Sequence, residues 1–200
     1  LSAAGLRFAL WVYRQGGWEA LREAYRQPPS SSEQLLHPVK YHADQPRVVT
    51  LPGWPDAADR VEQRSADVLG ELALHALLAE ALARSGESLT RAAEAAALGC
   101  VGWEGDRFES YELEGGRRAA LWRSVWDLEE SAQSFTRVLA RATAINAVPD
   151  DTLSVRRRGT VVDVAFSEDP AYLTELAGVL AGHSYDFPPD LADAESTRAA

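Results

Sequence analysis

Arg107-Phe108-Glu109-Ser110-Tyr111-Glu112-Leu113-Glu114-Gly115-Gly116-Arg117-Arg118-Ala119-Ala120-Leu121-Trp122-Arg123-Ser124-Val125-Trp126 is the stretch that decides the fold class. Residues 107–113 and 118–126 read as a β-hairpin, because Glu114-Gly115-Gly116 supplies the backbone freedom that a tight reversal needs. On the C-terminal side Asp127 starts a helix, with Glu130 at capping-box spacing. Leu128, Ala132, Phe135, Val138, Leu139 and Ala142 recur at helical intervals and form its buried stripe. Two further strands are predicted at about 153–157 and 160–166, hinged at Gly159. Asp169 then caps a last helix with Pro170 in its first turn, Leu173, Leu176, Ala177 and Leu180 facing inward, and Gly182 at its end. The order β-β-α-β-β-α is that of a small antiparallel sheet with helices packed on one face, following a helical first half: an α+β fold.

On the N-terminal side, Gly102-Trp103-Glu104-Gly105-Asp106-Arg107 reads as a tight turn into the hairpin. Leu89 to Leu98 is an alanine-rich helix capped by Gly99. Residues 67–84 carry the strongest helical signal. Leu69, Leu72, Ala73, Ala76, Leu77 and Glu80 cover one face, and Leu74, Leu78, Ala81 and Leu82 much of the rest; a helix apolar nearly all round is central. Glu71 and His75 sit one turn apart on it. They form either a metal-ligand or acid–base pair, or a hydrogen-bonded or solvent-facing pair. The second reading is favoured, because two ligands without a third rarely hold a metal. The charged run 56–67 reads as a loop leading into this helix, and Arg47-Val48-Val49-Thr50-Leu51 as a strand stopped by Pro52-Gly53. At the start of the chain Leu6, Leu10 and Tyr13 share a helical face, Gly16-Gly17 ends that helix, and a second short helix spans residues 18–26.

The stretch densest in chemistry is Pro28-Pro29-Ser30-Ser31-Ser32-Glu33-Gln34-Leu35-Leu36-His37-Pro38-Val39-Lys40-Tyr41. The two prolines block a helix from before. Ser30 with Glu33 is a capping box that starts a new helix, and Pro38 biases His37 out of it, leaving about two turns. The product is a stapled clamp presenting Glu33, Gln34, His37, Lys40 and Tyr41. Lys40 is the only lysine in the chain. Glu33 is expected to cap the clamp helix, and His37 and Lys40 to bond to the Gly102–Arg107 turn or to the helix start at Leu69-Gly70-Glu71. Asp106 or Arg107 is expected to be buried and paired, with Glu71 or Asp127 as the partner of Arg107.

A net charge of −10 argues against nucleic acid or an anionic membrane as the main partner. No run of apolar residues is long enough to span a bilayer. Cys100 is the single cysteine, so no intrachain disulfide forms, and without an adjacent histidine it reads as a small buried apolar residue. The chain has no methionine and opens at Leu1 in an apolar helical pattern, which reads as a fragment or processed product. The organisation read from these signals is residues 1–99, mainly helical with the clamp; 100–183, the α+β portion packed on it; and 184–200, a tail.

Gly16-Gly17-Trp18, the clamp, Leu69-Gly70-Glu71-Leu72, Gly102-Trp103-Glu104-Gly105-Asp106-Arg107 and Trp126-Asp127, in that order, resemble the C-terminal part of a family of prokaryotic zincin-like, metallopeptidase-related proteins, often secreted or lipid-anchored. The resemblance covers roughly residues 5 to 140. It implies a cell-envelope or extracellular location, the alternative being the cytoplasm. Members of that family carry a His-Glu-x-x-His zinc helix upstream of the matched region. This chain has neither that motif nor its inverse; its histidines are His37, His42, His75 and His183. The resemblance therefore implies a non-catalytic envelope or binding protein with no cofactor, no metal ligand and no catalytic residue. The alternative is the C-terminal portion of a zinc metallopeptidase whose catalytic helix is upstream or on another chain. Its partner is then that missing upstream segment or another protein chain, and the first helix should expose an apolar face toward it.

Overall fold

The computed structural model describes residues 3–54, 61–183 and 185. In chain order the elements are α1 (Ala3–Arg26), α2 (Ser32–Leu36), a 3₁₀ turn (Pro38–Lys40), β1 (Val61–Asp67), α3 (Gly70–Ala83), α4 (Leu89–Cys100), β2 (Trp103–Leu113), β3 (Arg118–Trp126), α5 (Glu129–Ile145), β4 (Leu153–Arg158), β5 (Val161–Ser167) and α6 (Pro170–Gly182). The fold is α+β: a helical N-terminal part, then a five-stranded antiparallel sheet of order β1-β2-β3-β5-β4 with helices.

The β2–β3 hairpin forms as predicted, with Phe108 opposite Trp122 and Tyr111 opposite Ala119. Because strand side chains alternate between faces, this register places Phe108 and Trp122 on one face and Tyr111 and Leu121 on the other. On the first face Trp122, Trp126, Val162 and Val164 pack with Leu74, Leu78 and Leu82 of α3, Ala92 and Ala96 of α4, and Phe135 of α5. Trp126 stacks on Phe135 at 4.7 Å between ring centroids, and Trp122 meets the same ring edge-on at 5.4 Å. On the second face Tyr111, Leu121 and Ala165 pack against Leu176 and Leu180 of α6. Helices therefore cover both faces, not one. The sign lies in β5: Val161-Val162-Asp163-Val164-Ala165 is buried along its length, with no solvent face. The first core also joins residues on both sides of position 99.

Other expectations are corrected in detail. Residues 47–51 form no strand; they run as an irregular segment held by the Arg47 N–H donating to Glu104 O at 2.6 Å. The strand is β1, inside the run read as a loop, while residues 55–60 lie outside the described residues. β1 is a solvent-exposed edge strand of polar residues with no apolar alternation to betray it. α3 starts at Gly70, and of its apolar faces it buries the one through Leu74, Leu78 and Leu82. α4 does not stop at Gly99 but runs to Cys100. Gly99 is the point where α4 meets α5, since a Cβ there would sit 2.8 Å from Val138 Cγ2. α5 has no side-chain cap: Leu128 is its N-cap residue, and Asp127 is exposed.

Non-helical angles at Gly16 and Gly17 divide α1 into the two helices expected. Its first half buries Phe8 and Val12 against Tyr41. Leu6, Leu10 and Tyr13 are left exposed, with Trp18 edge-on to Tyr13 at 5.3 Å. No helix of the described residues is long and apolar enough to cross a membrane.

Candidate functional site

The clamp is built, but its two capping residues exchange roles. Ser31, not Ser30, caps α2 by accepting from the Gln34 N–H at 3.3 Å, and Gln34 Oε1 accepts from the Ser30 N–H at 2.8 Å. Gln34 thus does what was expected of Glu33. The neutral amide also donates to Asp44 O at 2.6 Å, which a carboxylate cannot do. Glu33 is released and buried, and Lys40 Nζ donates to it at 2.6 Å while lying 3.2 Å from Asp44. Lys40 therefore bonds within the clamp rather than to the Gly102–Arg107 turn. Pro38 ends α2, with His37 at φ −122° and ψ 76°. Tyr41 is buried, donates to Gln27 O, and meets Phe8 edge-on at 5.0 Å. His42 lies against the Tyr41 ring, tilted by 36° with 3.7 Å between the ring centroids.

Burial pushes the Glu33 carboxyl up from its ordinary range, against the pull of Lys40. Burial alone would lower Lys40, but its bonds to Glu33 and Asp44 outweigh it and leave the ammonium raised. Lys40→Met strands the Glu33 carboxylate and is expected to cost about 1–3 kcal/mol at neutral pH. With its folded-state pKa above the unfolded value, Glu33 is penalised only where it ionises. The deficit should therefore shrink as pH falls toward the unfolded carboxyl pKa. Urea melts of both proteins across acidic to neutral pH check this; a deficit that grows on acidification contradicts it.

Two contacts dock the clamp on α3. Ser32 Oγ accepts from the Leu72 N–H at 3.2 Å, and His37 Nε2 lies 3.0 Å from Glu71 Oε1. Gly70 allows this approach: its φ is +74°, and a Cβ would meet Ser32 Oγ at 2.6 Å. Glu71 is fully buried. His75 Nε2 lies 3.4 Å from the same Oε1 without hydrogen-bond alignment, and Glu71 Oε2 and His75 Nε2 are buried without a hydrogen-bond partner. Burial, and then the charge of Glu71, push the Cys100 thiol up to about 12, so it is no thiolate nucleophile at neutral pH. Among the described residues no group of three or more His, Cys, Asp or Glu side chains is placed to hold a metal ion.

Asp106 ties the turn to the same helix start. Its carboxylate accepts from the Leu69 and Gly70 N–H groups, each at 3.0 Å, and from Trp122 Nε1 at 2.8 Å. Burial pushes this carboxyl up, and these donors together with the Trp103 indole oppose that. Arg107 pairs with Glu109 through Nε at 3.3 Å, not with Glu71 or Asp127. The hairpin register sets it opposite Arg123, so its partner is the residue two further along its own strand. Asp127 donates its N–H to Gly102 O at 2.8 Å.

These segments enclose a cleft of about 470 Å³ between residues 30–32, 46–49 and 68–70 and the start of β2 at Trp103, Asp106 and Arg107. Gly105 lets the 46–49 wall lie against β2, because a Cβ there would strike the Arg47 carbonyl. Arg47 pairs with Glu104 on that wall. The sequence reading missed the 46–49 wall; the glycine two residues after Trp103 is its one local signal. It also missed a buried cluster on the α6 face. Arg123 Nε and Nη2 lie 2.6 and 3.1 Å from the two Asp163 oxygens. Arg123 also donates to Leu180 O and His183 O, and Arg158 Nη2 donates to Asp163 at 2.8 Å. An arginine inside Leu121-Trp122-Arg123-Ser124-Val125, with an aspartate inside β5, is the signal that could have found it.

No curated protein and no solved structure matches the chain. A family model described as a domain of unknown function does match, over residues 59–177. That span holds Glu71, Asp106, Arg107 and Asp127, while the clamp precedes it. It contains the whole sheet and the helix start on which the clamp docks and, being more than half of the chain, makes the protein a member of the DUF8575 family.

Proposed function

We propose that the protein is a non-catalytic binding protein of zincin-like ancestry, acting at the cell envelope. The observation that carries this reading is how the motif residues are used. His37, Lys40, Glu33, Ser32 and Asp106 contact one another, α3 or β3, and hold the clamp, helix start and turn together around one cleft. Groups spent in this way stabilise a recognition surface rather than attack a substrate. The exposed Leu6-Leu10-Tyr13 face of α1 supports an upstream segment or another chain as partner. That same face favours a second reading, in which the chain is the C-terminal portion of a zinc metallopeptidase whose catalytic helix packs there. Zinc calorimetry with metal analysis, together with hydrolysis of an unstructured protein such as casein, tests the proposal. The expected outcome is neither stoichiometric zinc nor hydrolysis. Stoichiometric tight zinc abolished by His37→Ala would overturn it.

A further inference from the structure

The geometry points to the cleft beside Arg107 as the binding site of a small molecule with a carboxylate at one end and a short apolar body at the other. This deepens the binding-protein reading and rests on it. Trp103 is buried and lines the cleft; its Nε1–H is closed off from solvent and acts on the Asp106 carboxyl, though without full hydrogen-bond geometry. The two neighbouring buried indoles are both satisfied, Trp122 by Asp106 and Trp126 by Ser124. Ser31 Oγ and Ser32 Oγ each already accept a backbone N–H, so each hydroxyl hydrogen is left to donate. Arg107 is half-buried and pairs with Glu109 through Nε at 3.3 Å, which leaves its terminal nitrogens for a planar, two-oxygen acceptor.

The acceptor side is closed. Among the described residues Asp106 is the one acidic side chain in the wall; three donors bond to it and the Trp103 indole acts on it as well, so a cation or amine finds its lone pairs taken. Val48, Val49, Val68 and Leu69 give the wall an apolar part, with Val48 and Val68 strongly exposed, beside Arg47, which pairs with Glu104, and Ser30. A volume of about 470 Å³ lies in the range of small-molecule sites, about 300–1,000 Å³. The net charge of −10 disfavours a large polyanion, whereas a single carboxylate experiences mainly the local guanidinium.

The test is calorimetric titration of the full chain with phenylacetate and isocaproate, against phenylacetamide and isocaproamide. A tripeptide ending in a free leucine carboxylate, with its C-terminal amide, separates a peptide end from a free acid. The expected result is saturable binding of at least one carboxylate, with its amide weaker by about tenfold or more, as loss of a charge-assisted pair implies. Arg107→Gln should weaken the carboxylate by a similar factor with Arg107→Lys recovering part, and Val68→Trp should fill the cleft and abolish binding, all three variants melting cooperatively. No saturable carboxylate binding, equal binding of acid and amide, or indifference to Arg107→Gln would overturn the site. Those outcomes leave the non-catalytic reading standing, and zinc-dependent hydrolysis would remove that reading without regard to the cleft.

Discussion

Asp106→Ala is expected to lower the unfolding free energy by about 3–5 kcal/mol, because it strands three buried donors at once, each worth about 1–3 kcal/mol and not fully additive. The donors are the Leu69 and Gly70 N–H groups, which open α3, and the Trp122 indole in the centre of β3. Losing them loosens the joint between helix start, sheet and cleft together. For a chain of this size the midpoint should fall by about 2–4 °C per kcal/mol. Asp106→Asn keeps one acceptor oxygen and should lose less. Urea unfolding followed by tryptophan emission and by far-ultraviolet dichroism measures both variants. A loss near that of a surface substitution, about 0.5 kcal/mol or below, would show that the three bonds do not close this joint.

Arg123→Met is expected to cost about 3–5 kcal/mol, the range for breaking one partner out of a buried ion pair. Arg123 is fully buried, faces both oxygens of Asp163, and satisfies carbonyls at the end of α6. Removing it leaves Asp163 with Arg158 alone and releases the helix end from the sheet. Arg123→Met with Asp163→Leu should recover a good part of the loss, since a matched apolar pair replaces a buried ionic one at little cost. Guanidinium chloride unfolding of the two single variants and the double variant forms the cycle. A double variant no more stable than Arg123→Met would mean that the arginine acts through the α6 carbonyls and not through the aspartate.

The elements legible in the sequence are those whose signal is local. The hairpin was announced by two glycines between strand-forming runs, and α6 by Asp169 followed by Pro170. The α5 stripe was right at Ala132, Phe135 and Ala142, because a helix face recurs within its own length. β1 was illegible because an edge strand with both faces wet has no apolar period. The face that α3 buries was illegible because nearly every face of it is apolar, so its neighbours chose. In the site the residue types were visible and the partners were not. Glu33, Lys40, His37 and Asp106 stood out as polar groups among apolar ones, and His37 did reach the Leu69-Gly70-Glu71 helix start. The exchange between Gln34 and Glu33, the pairing of Arg107 with Glu109, and the Asp106 bridge were not deducible. Sequence by itself determined the α+β class, the hairpin, the clamp and the residues that carry polarity into the core. Tertiary structure alone decided which of those residues meet, since Asp106 and Gly70, or Ser32 and Leu72, are joined across about forty residues of chain, where a bond's existence depends on how two separately formed elements dock.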